Sequence, residues 1–180
     1  LFAPEAPTYE HYRNYRRWAI ESAALDLALR QQEKTLGEAL GIEPDPVRFV
    51  VSTRLGEPPP SDRIDRLLTL DNTREFKLDP SEEWPTSLFK TLGATDAVRI
   101  MDLKDWYGGP DPDVKPDLYH DVFGMDSVIV EDAAFVPETN QLVKSRAERL
   151  SFDSPIAGVE SLRCLPVEPG WCNIKPSRFW

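Results

Sequence analysis

The chain is poor in the residues that carry thiolate, imidazole and membrane chemistry. Its two cysteines, Cys164 and Cys172, are too few for a disulfide framework or a thiolate zinc site, and both are read as reduced. Its two histidines, His11 and His120, stand away from the ends of the apparent strands and so suggest no zinc site there. No apolar run approaches the roughly 20 residues that cross a bilayer, and no basic-then-apolar segment opens the chain. Cationic excess is also missing. With 21 Lys and Arg against 31 Asp and Glu, the formal charge is −10, which argues against nucleic acid or an anionic membrane as the partner. A soluble, cytoplasmic protein is expected. Neither GxGxxG nor GxxxxGK[ST] occurs, so nothing is set to cradle a dinucleotide or a triphosphate.

What is present suffices for one sizeable core: 41% of the residues are hydrophobic and 10% aromatic over 180 positions. From Tyr15 to about Gln32 the sequence YRRWAIESAALDLALRQQ lacks Pro and Gly and repeats apolar residues through Trp18, Ala19, Ala23, Leu27 and Ala28. This spacing predicts a helix with one buried face. TLGEALG predicts a second, shorter helix ending at Gly41, where a left-handed residue is tolerated. These helices form a first region, 1–45, and the rest of the chain, 46–180, has a different texture. The first residue, Leu1, and the stop at Trp180 directly after an apparent strand give the chain the look of a fragment.

After Pro46, apolar runs of about five residues alternate with amphipathic stretches. VRFVVS (47–52), REFKLD (74–79), AVRIMDLK (97–104), DSVIVED (126–132), RLSFDS (149–154) and WCNIK (171–175) read as strands. SDRIDRLLTL, WPTSLFKTLG, KPDLYHDVF, ETNQLVKSRAERL and GVESLRCLP read as the helices between them. No Asn-Gly or Asp-Gly hairpin joins successive strands, and each connection is long enough for a crossover, so the strands are expected to be parallel. The 17 prolines cluster in the connections, where a missing N–H costs no ladder bond. Such units build either an open doubly wound sheet or most of a (β/α)₈ barrel.

The strand ends carry the chemistry. Lys77 and Asp79, Asp102 and Lys104, Glu131 and Asp132, Asp153, and Lys175 fall where ligands bind in parallel α/β folds. Asp102, Glu131 and Asp153 close three consecutive strands, 29 and 22 residues apart. A closed barrel would bring these carboxylates toward one point, where their repulsion calls for a cation, and hard oxygen ligands favour Mg²⁺. The bland reading of each acid is a helix cap or a solvated loop residue.

These motifs resemble those of the enolase superfamily in order and spacing over nearly the whole chain. RRWAIESAALDLALRQQEKTLGEALG is similar to the helix that closes that family's capping region. FKLD resembles the second-strand KxK motif, IMDLK the third-strand metal aspartate, VIVEDA the fourth-strand Glu-Asp, SFDSPI the fifth-strand acid and NIKPSR the sixth-strand lysine. The resemblance implies a partial (β/α)₈ barrel of about six parallel strand-and-helix units, its last two units absent, preceded by the final helices of a capping domain. It also implies a Mg²⁺-dependent lyase, cycloisomerase or epimerase that removes a proton next to the carboxylate of a small-molecule substrate, through an enediolate. Asp102, Glu131 and Asp153 would hold the metal. Lys175, Lys104 and Lys77 are the candidate catalytic groups, nearest to the muconate-lactonizing and o-succinylbenzoate synthase branches. The mandelate racemase branch draws its base from a seventh-strand histidine, in a region this chain lacks. A homo-oligomeric parent is compatible with the reading.

One departure stands out. Where the second-strand motif has its second lysine, this chain has Asp79, and Lys104 appears one strand later. Lys104 then either replaces the missing base, pairs with Asp79, or is a solvated loop lysine. The competing functional class is a non-catalytic chain, either a truncated product or a divergent barrel that keeps the fold without turnover. Trp84, Trp106, Tyr107 and Trp171 are expected to pack or to line a pocket. Arg178 is a fork donor for a carboxylate, His120 a helix-surface residue, and Gly108 with Gly109 a tight loop.

Overall fold

Side chains alternate across a strand, and in Glu75–Leu78 this period separates a buried row from a polar one. In Glu75–Leu78 the buried positions are Phe76 and Leu78, while Glu75 and Lys77 face the other way. Leu150 and Phe152 likewise flank a polar residue, Ser151, although all three are buried. The computed structural model describes residues 11–56, 62–105 and 112–179. Two N-terminal helices, α1 (His11–Gln31) and α2 (Leu36–Leu40), precede six strands: β1 (Val50–Thr53), β2 (Glu75–Leu78), β3 (Val98–Asp102), β4 (Ile129–Glu131), β5 (Leu150–Phe152) and β6 (Trp171–Cys172). Helices α3 (Asp62–Leu70), α4 (Thr86–Ala94), α5 (Pro116–Phe123) and α6 (Asn140–Lys144) lie between the first five strands, and a 3₁₀ turn, Val159–Cys164, precedes the sixth.

All five strand pairs are parallel, and the sheet order is β1-β2-β3-β4-β5-β6. The fold is therefore α/β with a six-stranded, wholly parallel sheet. Because the order never reverses, there is no switch point of the doubly wound kind, and one face of the sheet carries the helices that pack on it. That face holds the core. Phe76, Leu78, Met101, Val130, Leu150 and Phe152 are 0–1% exposed and belong to one cluster with Ile64, Leu92, Tyr119, Val122 and Val143 of the helices.

Local chemistry fixes several boundaries. Thr35 and Glu38 form a capping box at the start of α2, and Gly41, at φ 67°, ends it in the left-handed region. Pro116 occupies the first turn of α5, where its missing N–H leaves no bond unmade. Gly170 lets the entry to β6 approach the backbone of Glu148: a Cβ there would lie 1.9 Å from the Glu148 carbonyl oxygen. The fifth connection differs from the expected helix, being the 3₁₀ turn Val159–Cys164, and the expected ETNQLVKSRAERL helix breaks into α6 and a 3₁₀ turn at Ala147–Arg149.

The first helix departs further from expectation. Of the apolar positions expected to form its buried face, Trp18 (45%) and Leu27 (56%) are exposed. The half-buried residues are Asn14, Tyr15, Ser22 and Leu29. The helix leans on the turn Pro176–Arg178, where the Asn14 side chain donates to the Arg178 carbonyl at 3.1 Å. Ala-rich propensity sustains this helix without a large apolar contact.

Candidate functional site at the strand ends

The register sets the level of each charged residue. Asp102 pairs with Glu131, and Glu131 with Ser151, so these three lie level on neighbouring strands. Asp153 is two residues past Ser151, on the same face but roughly 6–7 Å further along its strand. On β6, Ser151 is level with Trp171, which places Asn173 and Lys175 beyond the strand on that face. Lys77 pairs with Ile100, so Asp79 continues that row toward Asp102.

The result is a chain of alternating charges. Arg54 Nε donates to Asp79 Oδ2 at 2.8 Å, and Lys104 Nζ lies 3.2 Å from Asp79 Oδ1 and bonds Asp102 Oδ2. Lys77 Nζ is 3.0 Å from Asp102 Oδ2 and also bonds Glu131 Oε1, joining the two level carboxylates. Asn173 Nδ2 donates to Glu131 Oε2 at 3.2 Å. Asp153 stands apart from Lys77: it bonds Lys175, and Arg178 Nη1 donates to both its Oδ1 and its carbonyl oxygen at 2.8 Å. With the buried Asp132, five carboxylates (79, 102, 131, 132, 153) meet five cations (54, 77, 104, 175, 178).

Burial makes these pairs consequential. Asp102, Glu131, Asp132 and Asp153 are 4%, 1%, 0% and 4% exposed. Burial works against ionisation of Asp102, yet Lys104 and Lys77 together hold it below the ordinary carboxylate range. Burial opposes Lys77 too, and the Glu131 and Asp102 carboxylates outweigh it, raising its value above that of free lysine. For Glu131 burial dominates and raises the value, although Lys77 opposes the shift. Lys104 is raised as well: burial opposes, and Asp102 and Asp79 prevail.

Backbone geometry adds a further mark. Lys104 (φ 61°) and Asp132 (φ 52°) are two of four non-glycine residues with positive φ among those described, and both lie in this cluster. Such conformations persist where the surroundings impose them, often at functional sites. Asp132 turns its carboxylate to accept the N–H groups of Asp153, at 2.8 Å from Oδ1, and of Ser154, at 3.2 Å from Oδ2. It thereby positions Asp153.

A cavity of about 430 Å³ opens beside Asp102, between the ends of β1, β2 and β3. Arg54, Leu55, Ser81, Trp84, Leu103 and Lys104 are among its walls. Trp84 is buried there and packs on Phe89 at 5.4 Å between centroids, so it combines the packing and pocket roles expected of it. A larger hollow of about 600 Å³ lies on the helical side between α4 and α5, away from the charged cluster, and His120 is an exposed residue at its wall. Trp171 is 55% exposed, and Trp106, Tyr107, Gly108 and Gly109 fall outside the described residues.

The donor set suits a hard cation in its chemistry: three carboxylates, one of whose oxygens, Asp102 Oδ1, is buried without a hydrogen-bond partner. Among the described residues, however, no three His, Cys, Asp or Glu side chains converge to hold one ion. Lys77 stands between Asp102 and Glu131, so an ion shared by these carboxylates takes the place of its ammonium.

Sequence reasoning named the lysines and acids but missed Arg54, Ser81, Asn173 and the positioning role of Asp132. Arg54 directly follows β1, so the rule that strand ends carry charge, applied one strand earlier, would have found it.

No curated protein and no solved structure matches the chain. Two family models do. The Domain of unknown function (DUF8230) N-terminal domain matches residues 1–39, and the Domain of unknown function (DUF8230) C-terminal domain matches residues 43–180. The chain, with its charged cluster at the ends of six parallel strands, belongs to the DUF8230 family.

Proposed function

We propose that the strand-end cluster is a proton-transfer site of the enolase type, on a sheet that forms part of a (β/α)₈ barrel, and that it acts on a small carboxylate. The observation that carries this reading is that buried Asp102, Glu131 and Asp153 alternate with Lys77, Lys104 and Lys175 along the C-terminal ends of consecutive parallel strands. Asp102, Glu131 and Asp153 would hold Mg²⁺, which supplies positive charge for the substrate carboxylate and for the enediolate formed as the proton leaves. Lys77 and Lys104, with raised values, are protonated at neutral pH and serve as electrostatic groups and proton donors. Lys175, on the far side of the cluster beside Asp153, is the candidate base. Arg178 and Asp132 hold Asp153 from two sides and keep its carboxylate oriented.

A specific observation favours a second reading. Every lysine of the cluster is already ion-paired, and Asp79 pairs with Lys104 rather than leaving a catalytic lysine in its place. On that reading the site is a non-catalytic ionic brace. Two measurements separate the alternatives: calorimetric titration with Mg²⁺, and exchange of α-protons in D₂O followed by NMR over a panel of small carboxylates. Saturable Mg²⁺ binding that Asp102→Asn and Glu131→Gln abolish, together with exchange that Lys175→Met abolishes, supports the enzymatic reading. Absence of both at millimolar Mg²⁺ overturns it.

A further inference from the structure

We infer that the two open edges of the sheet pair with each other between two copies of this chain, β6 of each copy lying parallel to β1 of the other. This goes beyond the proposed function and does not depend on it.

Among the described strands β1 bonds to β2 alone and β6 to β5 alone, so one side of each carries unpaired N–H and C=O groups. Such an edge is a template for another strand. Exposed apolar residues follow the same division. Between Asp71 and Gly158, the stretch that holds β2 to β5 and α4 to α6, no large hydrophobic residue is exposed among those described. The exposed ones come before this stretch, in the N-terminal helices, the lead into β1 and the last residue of α3, or after it, around β6. The lead into β1 exposes Val47 at 71% and Phe49 at 84%, and the other edge exposes Val159 at 69%, Trp171 at 55% and Ile174 at 61%. Single exposed apolar residues are ordinary, whereas a set confined to the flanks of unpaired strands marks a contact surface.

Direction and area identify the occupant. A β1–β1 contact about a two-fold axis would be antiparallel and would leave β6 and its apolar flank uncovered in both copies. A two-fold axis along the strands instead sets β6 of each copy beside β1 of the other. That arrangement covers both edges at once, continues the parallel order of the sheet and closes after two copies. Burying one aliphatic or Phe side chain is worth about 1.5–3 kcal/mol at about 25 cal/mol per Å², which corresponds to about 60–120 Å². The eight exposed residues of Ile42–Leu70 and Val159–Ile174 therefore offer about 500 Å² of apolar surface per copy. A standard interface buries about 800 Å² per partner, about 57–65% of it apolar, so the two edges together supply what a stable dimer needs.

The test is the molar mass of the 180-residue chain in analytical ultracentrifugation across the micromolar range. A reversible dimer is expected. Phe49→Asp on the β1 side and Trp171→Asp on the β6 side should each weaken it by about 30-fold or more, the loss of one central aromatic. Both positions are exposed in the single chain, so circular dichroism of the dilute variants should match the wild type. Mixing the two variants leaves one junction intact, the β6 edge of the Phe49→Asp chain against the β1 edge of the Trp171→Asp chain. The mixture should therefore dimerise more tightly than either variant alone. A strictly monomeric chain overturns the inference, as does a mixture no tighter than its components. A dimer that Phe49→Asp breaks and Trp171→Asp spares shows β1–β1 pairing instead, and one indifferent to both substitutions lies elsewhere on the surface. Assemblies larger than two show that the junction does not close at two copies, and each of these three results also overturns it.

Discussion

Replacing Lys77 with methionine removes the single ammonium that joins Asp102 and Glu131 while keeping the length of the side chain. The Lys77 side chain is 15% exposed and its partners 5% and 2%, so the two carboxylates would be left buried and facing each other. At 3.0 Å and an effective dielectric of about 20, the Lys77–Asp102 attraction alone is about 5–6 kcal/mol before desolvation is subtracted. Breaking a buried pair by removing one partner costs about 3–5 kcal/mol in practice. The loss is capped because Glu131, raised by burial, can take up a proton instead of remaining charged. For a chain of this size that is a fall in Tm of about 10 °C, measured by circular dichroism at neutral pH. The more exposed Lys104→Met should cost less, about 1 kcal/mol, because solvent screens its pairs. If the Lys77→Met variant melts within a degree or two of the wild type, the cluster is not held by this ammonium. Under the proposed function Mg²⁺ should raise the Tm of Lys77→Met more than that of the wild type, since it can enter where the ammonium stood.

Three further outcomes follow from contacts outside the ion-pair chain. Asp132→Ala leaves the N–H groups of Asp153 and Ser154 without their acceptor and should cost about 2–4 kcal/mol, with faster exchange of the Asp153 amide; Asp132→Asn, which tolerates the same positive φ, should cost less. Arg149→Met should destabilise the fold by about 2–4 kcal/mol in urea unfolding, because the guanidinium donates to the carbonyls of Phe123, Met125 and Val128 and so closes the end of α5 onto β4. Tyr119 donates to Asp105 at 2.7 Å and accepts from the Ala134 N–H at 2.8 Å, and burial, then Asp105, pushes its phenol well above the ordinary value of 10. The folded state therefore keeps its proton while the unfolded state loses it. Stability should fall as pH rises past about 10, and Tyr119→Phe, weaker by about 1–3 kcal/mol at pH 7, should lack that tyrosine contribution to the fall.

Much of the order of elements was legible because apolar runs of strand length alternate with helical stretches and no hairpin signal intervenes. EFKL and VRIMD lie inside the segments that alternation predicts, VVST overruns its segment by Thr53 alone, and the all-parallel sheet agrees with connections too long for hairpins. The helix of Tyr15 was legible as a helix but not in its packing: periodicity reports which residues could share a face, whereas burial depends on what the rest of the chain brings to it. The ends of short strands misled for a related reason. Asp102, Glu131 and Asp153 follow one another in sequence as strand-end acids, yet the register makes only the first two level, a difference of two residues that sequence spacing cannot reveal. Nor does spacing show that Lys77 reaches Glu131, 54 positions away, or that Asn14 of the first helix supports the turn carrying Arg178.

The presence of Asp79 on one strand and of Lys104 on the next acquires a physical meaning from these contacts. Taken singly, each residue would be costly: an aspartate at position 79 adds an anion beside Asp102, and a lysine at 104 adds a cation beside Lys77. Taken together they pair at 3.2 Å and carry no net charge between them. What changes is where the charges point. Lys104, turned by its positive φ, meets Asp102 from the cavity side, while Lys77 meets the same oxygen from the side of Glu131. Asp79 then draws Arg54 to the opposite wall of the cavity. Asp79 thus stands where the enolase resemblance expects a catalytic lysine and instead organises two cations, Arg54 and Lys104, around the hollow at the ends of the first three strands.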